Sequence, residues 1–334
     1  MIEGVRLEDV AREAGVGIST VSRALHNPAR VNVKTREHVQ AVAQSMGYSG
    51  NLAARQLRTG LSRVVLVIVP AFKSNEVLAS AINAIDAELM RSGYSMVVGT
   101  LTDDRQADPR LIAMARGGFV DGILAVTNEP PGAGRELSIL PAQLPSVGLL
   151  IDLSAYGIPS LVTAECEAME VMTGELIRRG HRHIGFGSGI AGYHDEQRLA
   201  GFNKAVAMAP EPVRTTLIDG GDYSFRTGIE IAQRFLAQPD RPTAMMLTSD
   251  HLALAFMKTV RDAGMNVPDD VAVTGFDDLG ASAFFDPPLT TYRQPMEQLG
   301  SQAARLLLAM IAGHEPETID CRQIRGELCI RGSI

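Results

Sequence analysis

The residues best suited to chemistry form a polar series near the amino terminus. Ser19, Ser22, Arg23 and His26 recur at i, i+3, i+4 and i+7, a spacing that places them on one face of an α-helix. Hydroxyl, guanidinium and imidazole groups hydrogen-bond the phosphates and base edges of DNA. The series predicts a helix that enters a major groove. The alternative is the solvated face of an ordinary amphipathic helix.

Position along this helix indicates a role for each side chain. Recognition helices contact bases with their N-terminal residues, so Ile18 and Ser19 are best placed for base edges. Arg23 suits a guanine, which accepts two hydrogen bonds from one guanidinium. Four further side chains are expected to position the DNA backbone without reading sequence, and they are Thr20, Ser22, Asn32 and Thr35.

The elements that must hold this face form a small all-α head. Apolar spacing predicts three short helices, at residues 7–14, 18–25 and 34–46. A helix-turn-helix needs a small residue between its helices, a turn glycine and a branched apolar anchor, and Ala11, Gly15 and Val21 meet these needs. Residues 1–60 hold eight Lys/Arg against five Asp/Glu, a net charge of +3. Because the whole chain has a net charge of −7, the remaining residues carry −10. A basic head on an acidic body favours local attraction to phosphates.

After residue 63 the pattern changes to apolar strands alternating with helices, which indicates a parallel α/β fold. The strands are predicted near 64–69, 95–100, 122–127, 146–150, 183–187, 215–219, 243–248 and 271–275. Two sets of four predict a two-lobed body, and small ligands bind at the carboxyl ends of such strands. The expected domains are a helix-turn-helix domain at 1–50, a hinge helix and linker at 51–60, and an effector-binding and dimerisation domain at 61–334.

Ordered motifs along almost the whole chain resemble one known family. The segment VRLEDVAREAGVGISTVSRAL at 5–25 resembles the head of LacI/GalR-type repressors. Similar motifs lie at 33–36, 47–48, 51–57, 178–185, 198–202, 275–278 and 288–295. The resemblance implies a helix-turn-helix head and a periplasmic-binding-protein-like body. It also implies a ligand-responsive repressor that binds a palindromic operator as a homodimer.

The resemblance assigns further DNA contacts to the linker. In that family the linker becomes a helix on operator binding, and the leucine matching Leu57 inserts into the minor groove. The alternative is a leucine that packs onto the body. The expected DNA-binding set also includes Leu7, Asn51 and Ala54.

The resemblance also implies an effector site in the cleft between the lobes. Arg198 and Asp277 match residues that hydrogen-bond the ligand, or they form a structural ion pair between lobes. Tyr223 matches an aromatic that stacks on the ligand, or it is a surface aromatic. Loop positions that match are Phe72, Asn128, Ser249 and Gln294. Thr163-Ala164 replaces a usual Asp-Asn pair, which puts a standard pyranose in doubt and leaves a sugar acid or another metabolite open.

A dinucleotide-binding enzyme is the main rival, since Gly187–Gly192 matches G-x-G-x-x-G and Asp219 ends a later strand. Asp195 and Glu196 oppose it, because carboxylates at the next helix start repel a pyrophosphate. A plain sugar-binding receptor is disfavoured by the DNA-reading head and by the lack of a secretory signal at Met1.

Other function classes find little support. The longest apolar run, at 64–69, is far shorter than the roughly 20 residues that cross a bilayer. The three cysteines and seven histidines show no metal-ligand spacing, and no nucleophile motif is present. We therefore expect a cytoplasmic protein that is not an enzyme and that has no cofactor, metal or membrane partner. Its expected partners are DNA, a small-molecule effector and a second copy of the chain.

Overall fold

The computed structural model describes residues 5–26, 28–48, 60–69, 76–100, 109–126, 143–189, 192–314, 316 and 318–334. The chain divides into two compact units, Met1–Ser62 and Arg63–Ile334, which we call the head and the body. Five residues with predicted contacts lie outside the described residues, and their roles stay predictions: Asn51, Ala54, Leu57, Phe72 and Asn128.

The head contains three α-helices around one small core. They are α1 (Leu7–Glu13), α2 (Ile18–His26) and α3 (Val33–Ser45), with a 3₁₀ turn at Pro28–Arg30. Each helix begins and ends within one or two residues of its predicted bounds. Gly15 has φ of +63°, a left-handed conformation that favours glycine and turns the chain from α1 into α2.

The head core explains why α2 presents its polar face outward. Its buried residues come from all three helices, and they are Val10, Ala11, Ala14, Val21, Ala24, Val39 and Ala43. Val21 and Ala24 are completely buried, so the opposite side of α2, with Ile18, Ser19 and Arg23, faces solvent. The helical period therefore fixes both the packing and the exposed face.

The body alternates strands and helices. Its strands are β1 (Val64–Val69), β2 (Ser95–Thr100), β3 (Gly122–Val126), β4 (Ser146–Leu149), β5 (Ser160–Thr163), β6 (His183–Ser188), β7 (Arg214–Asp219), β8 (Ala244–Leu247), β9 (Ala272–Thr274), β10 (Thr291–Arg293), β11 (Cys321–Ile324) and β12 (Glu327–Cys329). Its helices are α4 (Glu76–Arg91), α5 (Pro109–Arg116), α6 (Glu165–Arg178), α7 (Tyr193–Ala207), α8 (Phe225–Leu236), α9 (Asp250–Asp262) and α10 (Met296–Ile311). Two short 3₁₀ helices lie at Ser154–Tyr156 and Gly280–Ala283.

Two parallel sheets define two lobes. The first lobe has a six-stranded sheet in the order β11-β5-β4-β3-β1-β2, and the second a four-stranded sheet in the order β7-β6-β8-β9. β10 and β12 form a separate antiparallel pair. Strand β1 is almost wholly buried, as expected where helices cover both faces of a parallel sheet.

The first lobe differs from the prediction of four strands. β5 and β11 add two strands at one edge of its sheet. Neither segment, SLVT nor CRQI, forms an apolar run, so periodicity alone does not reveal them. The predicted strands elsewhere agree with the structure to within about two residues.

The chain passes between the lobes three times, near residues 164, 295 and 325. The first two crossings meet, because the Thr163 hydroxyl donates to Oε1 of Gln294 at 2.7 Å. Residues just beyond these crossings lie at the boundary between the lobes. This arrangement positions the candidate effector site.

Candidate functional site

The exposed face of α2 is the candidate DNA-binding surface. Ile18 is 48% exposed although it is apolar, and Ser19 and Arg23 are also exposed. Thr20 and Ser22 are half-buried. Arg23 folds back along the helix, donating from Nε to the Ser19 carbonyl oxygen at 3.0 Å and from Nη2 to the Ser19 hydroxyl at 3.3 Å. A two-bond contact to guanine therefore requires Arg23 to change rotamer.

The remaining predicted head contacts have varied surroundings. Asn32 caps α3, since its Oδ1 accepts from the Lys34 N–H at 2.9 Å. Thr35 is half-buried one helical turn further on. Leu7 packs against the head core. The His26 side chain lies outside the described residues, so its role stays a prediction.

Arg198 on α7 is the central cation of the body site. Its side chain is almost fully buried, with the residue only 4% exposed. Nη2 donates to Oε1 of Glu165 at 2.6 Å, and Nη1 donates to the Thr248 carbonyl oxygen. The guanidinium carbon lies 4.0 Å from the Phe276 ring centroid, a distance typical of a cation-π interaction. Among the described residues, no acceptor lies within hydrogen-bond distance of Nε.

Glu165, the partner of Arg198, was not among the predicted site residues. It is buried at the first position of α6, where the helix dipole favours a negative charge. Nδ1 of His194 lies 3.0 and 3.2 Å from its two oxygens. Burial opposes ionisation, but Arg198 and His194 outweigh it, so the pKa of Glu165 is lowered. The sequence did offer one signal for Glu165: it is an acidic residue directly after Thr163-Ala164, the pair that replaces the usual Asp-Asn.

Tyr223 precedes α8 and contacts Asp195 near the start of α7 and Gly189 after β6. Its hydroxyl donates to Oδ1 of Asp195 at 2.7 Å, and the residue is half-buried. Burial raises the pKa of Tyr223, and the side chain remains a neutral phenol. The ring covers Gly189, where an added Cβ would overlap it. The glycine is therefore required by close packing.

Asp277 follows β9 at the boundary of the lobes. It adopts φ of +121°, a conformation that costs energy for a residue with a side chain. Oδ1 accepts from Nε2 of Gln294 at 2.7 Å, which links Asp277 to Thr163 through the same amide. Burial raises the pKa of Asp277 to about 7, with Arg198 opposing the shift and Asp250 adding to it.

Asp250 anchors the segment that carries Asp277. Its buried carboxylate accepts from the Leu279 N–H at 2.8 Å and from the hydroxyls of Ser282 and Thr291 at 2.6 and 2.5 Å. Burial raises the pKa of Asp250 to about 6. The neighbouring Ser249 hydroxyl accepts from the Leu252 N–H and caps α9. Ser249 thus has a structural contact in addition to its predicted contact with an effector.

A cavity of about 350 Å³ opens beside Asp277 and Gln294. Both lobes line it, because α4 belongs to the first lobe and the segment after β9 to the second. The lining residues are Glu76, Val77, Ser80, Asp277, Asp278, Leu279, Gly280, Arg293, Gln294, Met296 and Glu297. Its position between the lobes and its polar lining suit a small hydroxylated ligand.

Arg198 and Asp277 do not form the direct ion pair that was the alternative to their predicted contacts with a ligand. Arg198 pairs with Glu165 within the second lobe, whereas Asp277 is hydrogen-bonded to Gln294. Both carboxylates still act on Arg198 electrostatically. The structure therefore places Arg198, Tyr223, Asp277 and Gln294 in one connected region, with Glu165 and Asp195 added to the predicted set.

Comparisons with known proteins match this architecture. A model described as "Bacterial regulatory proteins, lacI family" matches residues 6–51, and one described as "Periplasmic binding protein-like domain" matches residues 173–334. HTH-type transcriptional repressor CytR of Escherichia coli (strain K12) is 31% identical over 339 residues, covering 98% of this chain and 95% of that protein. The chain belongs to the lacI family of bacterial regulatory proteins.

Two further relatives span the same length. HTH-type transcriptional repressor PurR of Photobacterium profundum is 30% identical over 344 residues, 98% of each protein. The Lac repressor dimer bound to operator and the anti-inducer ONPF has a TM-score of 0.84 and 25% identity, covering 99% of each chain. The predicted family and fold class are confirmed, and the chain is a DNA-binding transcriptional regulator.

The lacI-family assignment agrees with the surroundings of the glycine-rich segment. The Tyr223 ring packs directly against Gly189, so this glycine has a packing role that needs no bound dinucleotide. Across the described ranges, no helix is long and apolar enough to cross a membrane. The same ranges contain no group of three or more His, Cys, Asp or Glu side chains arranged to hold a metal ion.

Proposed function

We propose that this lacI-family regulator represses transcription by binding a palindromic operator as a homodimer. A sugar or sugar-acid effector, held between the lobes, changes its affinity for that operator. The observation that carries the DNA part is the division of α2, whose Val21 and Ala24 are buried while Ile18, Ser19 and Arg23 are exposed. An exposed Ile18 at the start of such a helix suits contact with a thymine methyl group.

The effector part is supported by the cavity between the lobes and by the polar residues beside it. Asp277 and Gln294 line the cavity directly, and Arg198 contacts the Phe276 ring immediately before Asp277. Carboxylate, amide and guanidinium groups fix the orientation of hydroxylated ligands. Effector and operator then influence each other because they favour different arrangements of the lobes.

Operator selection from random duplexes tests the DNA part. Ile18→Ala and Ser19→Ala should each change the preferred base at one position per half-site, with a loss of about 1–3 kcal/mol at that position. Gln44→Ala, at an exposed position of α3, serves as the control. If the wild-type protein prefers no duplex over random competitor, with or without metabolites, the proposed function is wrong.

Arg198→Ala tests the effector part, because it should remove the response to effector while operator binding persists. Since Arg198 is buried, the melting temperature of the Arg198→Ala variant must be compared with that of Gln294→Ala, which removes a contact at the cavity wall. A normal effector response in both folded variants would place the effector elsewhere.

A further inference from the structure

The Arg198 guanidinium is already occupied by protein groups. Nη2 donates to Glu165 and Nη1 to the Thr248 carbonyl oxygen. A ligand carboxylate binds an arginine best through a pair of parallel hydrogen bonds from two of its nitrogens. Only Nε lacks an acceptor among the described residues, and a single N–H can be satisfied by one hydroxyl oxygen.

Glu165 also neutralises the charge of Arg198. The ion pair is buried on both sides, so its mutual attraction is weakly screened by solvent. His194 approaches Glu165 from α7, which holds the carboxylate in place. The buried cation therefore has its counter-ion before any effector arrives.

The surrounding ionisable groups are mainly acidic. The cavity wall carries four carboxyl side chains, Glu76, Asp277, Asp278 and Glu297, against one guanidinium, Arg293. Arg293 pairs with Asp278 at 2.7 Å and with Glu327 at 2.8 Å, and Arg331 pairs with Asp278 at 2.6 Å, so the excess of negative charge comes mainly from Glu76 and Glu297. An anionic ligand would lose its hydration and meet this excess of negative charge.

We propose that Glu165 is a specificity-determining residue that makes the cleft accept neutral polyhydroxylated effectors and reject their carboxylated counterparts. This inference rests on the proposed function and narrows its effector from sugars or sugar acids to neutral sugars and glycosides. Glu165 acts by withholding Arg198 from the ligand's carboxylate. The same residue fixes the guanidinium by its bond to Nη2, which leaves Nε, with no acceptor among the described residues, as the nitrogen that a single hydroxyl oxygen can satisfy.

The test uses the full-length protein and matched ligand pairs, such as D-glucose with D-gluconate and D-galactose with D-galacturonate. Thermal shift and calorimetry are applied to the wild type, Glu165→Gln and Glu167→Gln. Glu167 is the matched control, because it is an acidic residue on the same helix that pairs with the exposed Arg325. Both substitutions remove one negative charge, but only the first frees Arg198.

In the wild type and Glu167→Gln, the neutral member of a pair should bind at least tenfold more tightly. In Glu165→Gln this preference should shrink or reverse by tenfold or more. Tighter binding of the carboxylated member by the wild type would overturn the inference. An unchanged ratio in folded Glu165→Gln would also overturn it. Should Glu165→Gln not fold, Glu165→Asp replaces it; its side chain is one methylene shorter, so its bond to Arg198 should weaken and the preference for the neutral member should shrink, and an unchanged ratio would again overturn the inference.

Acetate separates failure of this inference from failure of the proposed function. If no pair binds the wild type, the proposed effector class fails, and acetate then probes Arg198 alone. Acetate should raise the melting temperature of Glu165→Gln above its effect on the wild type and Glu167→Gln. Equal effects on all three proteins would overturn the role of Glu165.

Discussion

Close packing between Tyr223 and Gly189 illustrates how single residues shape the effector site. The ring occupies the space of a side chain at position 189, and its hydroxyl is held by Asp195. Gly189 also donates its N–H to the Thr248 hydroxyl at 3.1 Å. The orientation of the Tyr223 ring therefore depends on the absence of a side chain at Gly189, on the bond from Tyr223 to Asp195 and on the bond that holds the Gly189 backbone.

Gly189→Ala should displace the Tyr223 ring and weaken its bond to Asp195. We expect a loss of about 1–3 kcal/mol in the free energy of unfolding, the usual cost of overpacking, measured by denaturant titration. Gly174→Ala is the matched control, because its added Cβ would meet no atom within 4 Å on α6. It should stabilise the protein by roughly 0.5–1 kcal/mol, since alanine is favoured within a helix. Destabilisation by both would contradict the packing explanation.

The raised pKa of Asp277 predicts a pH dependence of stability. Its pKa is about 7 in the folded protein and about 3.9 when unfolded. Between these values the folded state holds the proton and the unfolded state releases it. The free energy of unfolding should therefore fall as pH rises from about 4 to 7, and then level off. The facing groups are Arg198, Asp250, Glu165 and the Gln294 amide.

Asp277→Asn tests this dependence by melting at pH 5.5 and pH 8. The variant should lose less stability between these values than the wild type, while Asp250 contributes a smaller fall of the same sign. Asp262→Asn, on the surface of α9, is the control and should follow the wild type. If Asp277→Asn loses as much stability between pH 5.5 and pH 8 as the wild type does, the assignment to Asp277 is refuted.

Sequence reasoning identified Arg198, Tyr223 and Asp277 but not Glu165. The first three lie in family motifs that are visible along the chain. The role of Glu165 depends on α6 packing beside α7, which brings together residues 33 positions apart. No local pattern encodes that contact. The roles assigned to all these residues remain predictions until the variants above are measured.

Helix α2 is the element whose behaviour follows most directly from its sequence. Its apolar residues recur at helical spacing and fill the head core, so its bounds and exposed face were both predicted. β5 and β11 are the opposite case. Their short segments of mixed polarity become strands because neighbouring parallel strands supply backbone partners, from Ser160 to Thr163 and from Cys321 to Ile324.

Val21→Ala should loosen the head through the loss of buried methyl groups. We expect a cost of about 2 kcal/mol in local stability, seen as faster amide exchange in α1–α3 and weaker operator binding. Val33→Ala is the matched control, because Val33 is 53% exposed and its truncation should cost less than about 0.5 kcal/mol. Equal effects from the two variants would show that the described core does not hold α2.

At the scale of the whole molecule, the second lobe exposes apolar side chains that suit a contact between two copies. Phe225 and Ile229 are exposed and lie four residues apart on α8, which places them on one face of that helix. Exposed apolar clusters commonly mark protein interfaces. The Lac repressor, whose fold this chain shares, is a dimer in its operator complex.

Ile229→Asp should weaken the proposed homodimer, because it places a charge in an apolar interface. We expect the dimer dissociation constant to rise by at least tenfold in analytical ultracentrifugation, together with a loss of operator affinity. Met208→Asp, an equally drastic change at an exposed site after α7, should leave dissociation unchanged. If Ile229→Asp remains as dimeric as Met208→Asp, the interface lies elsewhere.

The late return of the chain to both lobes has a consequence for biosynthesis. β11 joins the first sheet beside β5, and the buried Ser333 hydroxyl connects Thr290 to Val273 in the second lobe. A ribosome delivers these residues after the other strands of both parallel sheets, so β5 and the Thr290–Val273 connection lack these partners until they emerge. Until then β5 presents an open strand edge, a hazard for aggregation. Deletion of residues 321–334 would therefore remove one edge strand from the first lobe and the Ser333 contacts from the second.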